Sequence, residues 1–325
     1  MMKSNPLELL KGKGASCLVL PHINPDGDTI GASFALSLYL ETICERVVVV
    51  HDEELPANLQ FLKQVAMVPP HVIEQELGSF DWVIAVDSSD MGRLGDRAHL
   101  LNMHMKSMNI DHHKTNDLYA DFNVVEVGAS STGEIVYDLL VDAGAEITPD
   151  IAEALYVALS TDTGSFKYSN TSGKTMATAG KLIDAGIDLN KINTELYQNK
   201  PLYKMQILQT AMANMTMHLG GKLVTSWIDI ATMEEEGIEV LDTDGVAEYF
   251  RDIAGVEVVL FVKEKEPGLF RVSLRSKYDF DVSSLAAVFG GGGHAKAAGC
   301  AIVTDHAKDA VDQLVEACRS QWEGA

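Results

Sequence analysis

The stretch from Ala15 to His51 limits the architecture more than any other part of the chain. An apolar run from Ala15 to Pro21 meets a turn built on Pro25 and Gly27. Apolar residues then recur at helical spacing from about Thr29 to Thr42, and a second apolar run follows from Arg46 to His51. Strand, helix and strand in that order make a βαβ unit, which requires parallel strands with a helix crossing one face of the sheet. Strand-like runs at Trp82 to Val86 and Ser107 to Ile110, with helical patterns at Ser131 to Ala143 and Pro149 to Ser160, continue the rhythm. Pro149 stands where a first-turn proline is tolerated. The expected first domain is therefore α/β, with a mostly parallel sheet flanked by helices.

At 325 residues the chain has room for two domains. From Gly173 to Met217 the pattern is helical, and Asp188 and Pro201 mark helix starts. Met205, Met212 and Met215 fall near one helical face and predict a packing stripe. After Gly220-Gly221 the pattern changes again. Lys222 to Ile230, Val256 to Val262 and Leu269 to Arg275 read as strands, the last two joined by a turn at Lys265 to Gly268. The expected organisation is a first domain over residues 1–187, a helical connector over 188–219 and a smaller α+β domain over 220–325.

No apolar run reaches the ~18 to 20 residues that a membrane-spanning helix needs, and Met1 to Ser16 lacks the apolar core of a secretory signal. The expectation is a soluble cytoplasmic protein without a membrane partner. Cys17, Cys44, Cys300 and Cys318 show no Cys-x-x-Cys spacing, which suits reduced, buried thiols. A formal charge of -22 argues against coating long nucleic acid, because that affinity comes from Lys and Arg neutralising phosphates. It leaves room for a small anionic substrate, since bound divalent ions can supply positive charge locally.

Four segments carry chemistry: His22 with Asp26 and Asp28; Asp87 after Val83-Ile84-Ala85-Val86; Asp111-His112-His113; and Asp162 in Ser160-Thr161-Asp162-Thr163-Gly164. Three follow strand-like runs and the fourth ends a helix. In a parallel sheet the strand C-termini share one edge, where residues distant in sequence converge. Each residue also has a structural explanation: Asp28 as a helix cap, Asp87 and Asp162 as turn residues, His112 as a core histidine. Taken together, these carboxylates and imidazoles, without cysteine, suit a hard, octahedral-tending ion such as Mn²⁺. In the second domain, Gly290-Gly291-Gly292-Gly293 with His294 and Lys296 reads either as a flexible turn or as a loop whose backbone N–H groups approach a phosphate. Arg275, at the end of a neighbouring strand, would add a cationic contact.

The Asp111-His112-His113 triplet and its companion segments resemble the DHH phosphoesterase superfamily. The glycine run with His294 and Ala297-Ala298-Gly299 is similar to the substrate-binding motif of the DHH-associated C-terminal domain. Size and layout are most like the NrnA-type oligoribonuclease and phosphoadenosine phosphate phosphatase group. The resemblance implies two manganese ions, with His22 and Asp26 on one, Asp28, His112 and Asp162 on the other, and Asp87 bridging. It assigns His113 to the substrate phosphate and Asp111 to orienting a ligand imidazole. It also implies an active site in the interdomain cleft, with Arg275, Gly291, Gly292, Gly293, His294, Lys296, Arg93 and Asn116 as substrate-binding candidates. The activity so implied is hydrolysis of short RNA oligonucleotides to nucleoside 5′-monophosphates, with dephosphorylation of 3′-phosphoadenosine-5′-phosphate as a second reaction. Linear or cyclic dinucleotide hydrolysis is the enzymatic alternative, and a nucleotide-sensing module is the alternative of another class. Such proteins take short RNA or small nucleotides as partners, and a homodimer is compatible with the chain.

Overall fold

A computed structural model describes residues 5–10, 14–51, 54–102, 104–235, 237–238, 243 and 245–323. The chain divides into two compact units, Met1–Asn199 and Lys200–Ala325.

The first unit is built on six strands: β1 (Ser16–Pro21), β2 (Arg46–Val50), β3 (Met67–Val68), β4 (Phe80–Val86), β5 (His104–Asp111) and β6 (Phe122–Val125). They lie in the order β3-β2-β1-β4-β5-β6, and every neighbouring pair is parallel. The strands are apolar on both faces, as a sheet covered on both sides requires. Val19, Ile84, Val86, Met108 and Ile110 enter one core, and Leu18, Leu20, Val83 and Ala85 enter another with Leu94, Leu100 and Leu101. The first core is closed by α1 (Gly27–Leu40), α3 (Thr132–Asp142), α4 (Pro149–Asp162) and α5 (Gly173–Asp184). A single turn, α2 (Pro70–Val72), precedes β4. Side-chain caps set the helix starts: Ser131 accepts from Glu134 N, Thr148 from Ile151 N and Ser172 from Thr175 N. Pro149 occupies the first turn of α4.

The order of the strands has a functional consequence. The chain leaves β1 toward β2 on one side, and β4 returns to the other side of β1. Open α/β sheets leave a crevice at the strand C-termini where the order reverses in this way.

The stretch expected as one connector is divided between the units. Asp188 caps α6 (Leu189–Asn193), whose Ile192 joins the first core. Pro201 precedes α7 (Leu202–Ala213), whose Ile207 and Ala211 join a core of the second unit. The methionine stripe is not formed. Met205 and Met212 are exposed and only Met215 packs, because the apolar face of α7 runs through Ile207 and Ala211 instead.

The second unit has a mixed sheet in the order β11-β12-β10-β9-β8-β7. Its strands are β7 (Thr216–His218), β8 (Leu223–Ile228), β9 (Val258–Glu266), β10 (Leu269–Ser276), β11 (Gly292–His294) and β12 (Ala297–Val303). Only β8 and β9 pair in parallel. Its helices are α8 (Ile230–Glu235), α9 (Val246–Arg251), α10 (Val282–Val288) and α11 (Ala307–Glu323), the last covering one face with Ala310, Leu314 and Cys318. All four cysteines are free thiols, and the Cys17 and Cys44 sulfurs lie 3.5 Å apart. Among the described residues no helix is long and apolar enough to cross a membrane.

Candidate metal centre

The C-terminal edge of the first sheet gathers all four segments. His22, Asp26 and Asp28 follow β1, Asp87 follows β4, and Asp111-His112-His113 closes β5. Asp162 is the last residue of α4. Asp26, not Asp28, caps α1: its Oδ1 accepts from Thr29 N at 3.0 Å. Asp28 is buried in the first turn and serves another helix. Its two oxygens accept from Thr132 N at 2.7 Å and Gly133 N at 2.9 Å, the exposed N–H groups at the start of α3. Asp87 accepts from Thr29 Oγ1 at 2.6 Å and Thr132 Oγ1 at 2.8 Å, so one hydroxyl from each helix start fixes one carboxylate oxygen. Asp87 holds φ at 60°, a left-handed conformation costly for a residue with a side chain and concentrated at functional sites.

The donor atoms fall into overlapping groups. His22, Asp26 and Asp87 offer ligand atoms within 4.8 Å of one another, as do Asp28, His112 and Asp162, and so do Asp87, His112 and His113, which share a residue with each. Asp87 touches both groups: Oδ2 is 3.5 Å from His22 Nε2, and Oδ1 is 3.9 Å from His112 Nε2. The imidazoles are turned for metal binding. His22 Nδ1 lies 2.7 Å from the Ile23 carbonyl, which places the proton on Nδ1 and leaves Nε2 with an unshared pair, buried and without a hydrogen-bond partner. His112 Nδ1 faces the Ala129 carbonyl at 3.4 Å, and its Nε2 faces Asp162 Oδ2 at 3.7 Å. Orienting carbonyls of this kind fix the tautomer of metal-bound histidines.

The electrostatics report a shortage of positive charge. Burial, followed by the charges of Asp87, Asp162 and Asp26, pushes the Asp28 carboxyl well above its ordinary range. Burial likewise raises Asp162 to about 6, against the pull of His112. Burial acts upward on Asp87 too, but the neighbouring His22 ring, the hydrogen bond from Thr29 and the charges of His112 and His113 outweigh it and hold the group at about 2. A buried orphan imidazole nitrogen, crowded carboxylates and an all-nitrogen-and-oxygen donor set fit a divalent cation of the harder type.

Comparison with known proteins agrees with this geometry. Residues 16–159 match the DHH family N-terminal domain and residues 220–321 match the DHHA1 domain. The chain is 28% identical over 319 residues to the bifunctional oligoribonuclease and PAP phosphatase NrnA of Thermus thermophilus, covering 97% of this chain and 92% of that protein. It is 28% identical over 303 residues to the NrnA of Bacillus subtilis, covering 92% and 93%. The chain belongs to the DHH superfamily of phosphoesterases, NrnA type. The fold agrees as well: an exopolyphosphatase-related protein from Bacteroides fragilis superposes with a TM-score of 0.90 at 21% identity, over 97% of this chain and 95% of that one.

In this DHH phosphoesterase the triplet has a built support. Fully buried Asp111 accepts from Asn116 Nδ2 through Oδ2 at 2.7 Å, and its Oδ1 lies 2.7 Å from His113 Nδ1. Burial would lower the His113 pKa, yet the contact with Asp111 raises it. Asn116 Nδ2 also donates to Asn109 Oδ1 at 2.7 Å, and its Oδ1 accepts from Leu118 N. Asn116 is therefore turned inward, against the substrate contact expected of it. The physical reason is Asp111, a buried carboxylate that must find donors. Asn109 Nδ2 reaches the Ser88 carbonyl at 3.0 Å and Tyr119 Oη at 3.1 Å, and Tyr119 donates to the same carbonyl at 3.1 Å. One network thus braces both the His113 support and the peptide that follows strained Asp87.

Thr29, Asn109, Tyr119 and Thr132 had no separate signal in the sequence. The Asn-Ile-Asp-His-His run places Asn109 on the same strand face as Asp111, which is the one cue that could have found it. Arg93 borders a cavity of about 510 Å³ shared with His22, Asn24, Asp26 and Asp90, and its Nε is buried without a hydrogen-bond partner.

The second unit of the DHH phosphoesterase holds the remaining candidates. The glycine run is not a flexible loop, for Gly292–His294 forms β11, paired antiparallel to β12. A Cβ on Gly291 would sit 2.2 Å from the Gly299 carbonyl oxygen, and one on Gly293 would sit 2.6 Å from the Ala297 oxygen. Close strand contact explains those two glycines. Gly292 has open space around it, and His294 and Lys296 are exposed. Arg275 is already engaged, donating from Nε to Glu248 Oε1 at 2.7 Å.

Proposed function

We propose that the chain is a manganese-dependent phosphodiesterase that hydrolyses short oligoribonucleotides to nucleoside 5′-monophosphates and removes the 3′-phosphate of 3′-phosphoadenosine-5′-phosphate. The observation that carries this reading is the pair of ligand groups, His22–Asp26–Asp87 and Asp28–His112–Asp162, with Asp87 in contact with both. The NrnA relatives, matched over nearly their whole length, carry that pair of activities in their names. The two reactions are chemically one: each breaks the bond between phosphorus and a ribose 3′-oxygen.

The two groups suit two divalent ions, since four ligand aspartates bring -4 against +4 and the histidines bind neutral. When bound, such ions supply Lewis-acid charge and acidify water from a pKa of 15.7 to about 7. His22 and His112 offer Nε2 because the Ile23 and Ala129 carbonyls hold their other nitrogens. His113, protonated and backed by Asp111, donates from Nε2 to a non-bridging phosphate oxygen and draws charge from phosphorus. A new bond forms between phosphorus and a water oxygen, the 3′-oxygen leaves, and a proton returns to it. Arg93 is suited to a second phosphate at the His22–Asp26 side. Gly292, His294 and Lys296 are the second unit's candidates for substrate contact, with Gly291 and Gly293 shaping the strand and Glu248 aiming Arg275.

The test is product chromatography with manganese on a 5′-phosphorylated RNA dinucleotide, beside the nucleoside bisphosphate. Monophosphate from the dinucleotide is the expected result. Turnover of neither substrate overturns the reading.

A further inference from the structure

We infer that Tyr168 is an aromatic platform on which a substrate nucleobase stacks beside the metal centre; this rests on the oligonucleotide reading above and names a subsite within it.

After Asp162 ends α4, Gly164, Ser165 and Phe166 take φ values of 56°, 61° and 62° in succession. Consecutive left-handed residues are costly where a side chain is present, and they persist only where the surroundings fix them. Here they are fixed. Ser165 N donates to Ser160 O at 2.6 Å, Phe166 N to Thr163 Oγ1 at 3.0 Å and Tyr168 N to Thr163 O at 3.0 Å. The turn sends Phe166 inward against Tyr156, with ring centroids 5.7 Å apart, while Tyr168 stays 42% exposed.

Gly164 makes the arrangement possible. A Cβ there would lie 2.3 Å from Tyr168 Cζ and 2.5 Å from both Cε1 and Cε2. Near-equal distances to those three atoms place the glycine under the face of the ring, not at its edge. Any other residue at position 164 would displace the tyrosine. The ring is thus backed by main chain.

The platform is also registered to the ligands. Its loop starts at Asp162 and is tied back to it at Asn170, whose Nδ2 donates to Asp162 O at 3.1 Å and to Ser130 O at 2.9 Å. Gly164 is two residues from Asp162, so their Cα atoms are within about 7.6 Å. A phosphate held at Asp162 would have its nucleoside within reach of the ring. An exposed aromatic face at that range suits a base of any identity, because stacking is tolerant of sequence. The inferred ligand is a purine or pyrimidine, and the inferred consequence is weak base preference with strong dependence on a base being present.

The experiment uses the manganese-loaded full chain. KM is measured for a 5′-phosphorylated dinucleotide and for its analogue lacking the bases, in wild type, Tyr168→Ala and Tyr168→Phe. Tyr168→Ala should raise KM for the base-bearing substrate about tenfold or more and leave KM for the base-less analogue in place. Tyr168→Phe, which keeps the ring, should restore the wild-type difference to within about twofold. Equal changes on both substrates, or none on either, overturn the inference. Calorimetric binding of adenosine 5′-monophosphate against ribose 5-phosphate reads the same contact without turnover. If the wild type hydrolyses neither dinucleotide, the oligoribonuclease reading fails alone, and loss of the binding difference in Tyr168→Ala still decides the platform.

Discussion

At the edge of the first sheet, Asp28, Asp87 and Asp111 are each at most 2% exposed, and one of them is held in a strained backbone. At residues 292–296 of the second unit every residue is exposed, the backbone is a regular hairpin, and the side chains offered are a histidine and a lysine. The first region concentrates negative charge where water is scarce, which is tolerable only if cations enter. The second presents positive charge and a bare backbone to solvent, where a contact forms and breaks at little cost. Burial thus accompanies half of the ligand set, His22, Asp28 and Asp87, with strain at Asp87, whereas exposure runs through all of residues 292–296. Substitutions in the two regions should therefore differ in kind, the first acting on turnover and the second on binding.

The widest separation is expected at Asp87. Asp87→Ala removes a carboxylate that lies within 4 Å of both ligand groups, and activity should fall by about 10³ or more, corresponding to several kcal/mol of lost charge stabilisation. Far-UV circular dichroism should be unchanged; an active Asp87→Ala enzyme would break the comparison outright.

Metal removal tests the charge argument by another route. In the metal-free protein Asp162 titrates near 6 and Asp28 is also raised, so from the ordinary carboxylate range up to about pH 6 the folded state binds more protons than the unfolded chain. The stabilisation from these groups is complete below pH ~4 and is lost as pH rises through about 6. The metal-free Tm should accordingly fall between pH 4 and 7, and saturating Mn²⁺ should abolish or reverse that slope. A Tm that rises over the same range in both forms would contradict the crowding.

Asn116→Ala should cost about 10- to 100-fold in activity, as loss of an orienting partner does at metal sites, chiefly in kcat. Tyr119→Phe, which removes one hydroxyl from the same network, should cost less. Equal effects of Asn116→Ala on kcat and KM would place Asn116 at the substrate after all.

Lys296→Ala marks the small end of the scale. Loss of one exposed cationic contact should raise KM several-fold with kcat unchanged, the pattern of uniform binding. Manganese affinity, measured by calorimetry, should not move.

Much of the first unit was legible because its signals are local. The βαβ rhythm, Pro149 in the first turn of α4 and the apolar runs of β1, β4 and β5 each follow from a few adjacent residues. Five of the six ligand candidates could be read because strand C-termini converge by topology; Asp162 ends a helix instead. Which aspartate caps α1 was not, since Asp26 and Asp28 both fit the pattern and the choice depends on α3, 104 residues further on. β6 and β12 were missed for different reasons. β6 is only four residues long, and β12, Ala-Ala-Gly-Cys-Ala-Ile-Val, is a strand of small residues whose stability comes from pairing with β10. The Asn109–Tyr119–Asn116 network was invisible for a related reason: hydrogen bonds among side chains leave no periodic mark.

Asp28 also bears on how the molecule assembles. Its carboxylate is held by amides 104 and 105 residues away, so the Asp28–His112–Asp162 group is not set until the sheet edge and the start of α3 have met. Contacts this distant in sequence form late, after most of the loop-closure entropy has been spent. A cation at that group then has no formed site in the early chain and cannot template it. Refolding rates should be indifferent to manganese, whereas escape from the folded state should slow in proportion to its occupancy, which makes the ion a brake on unfolding.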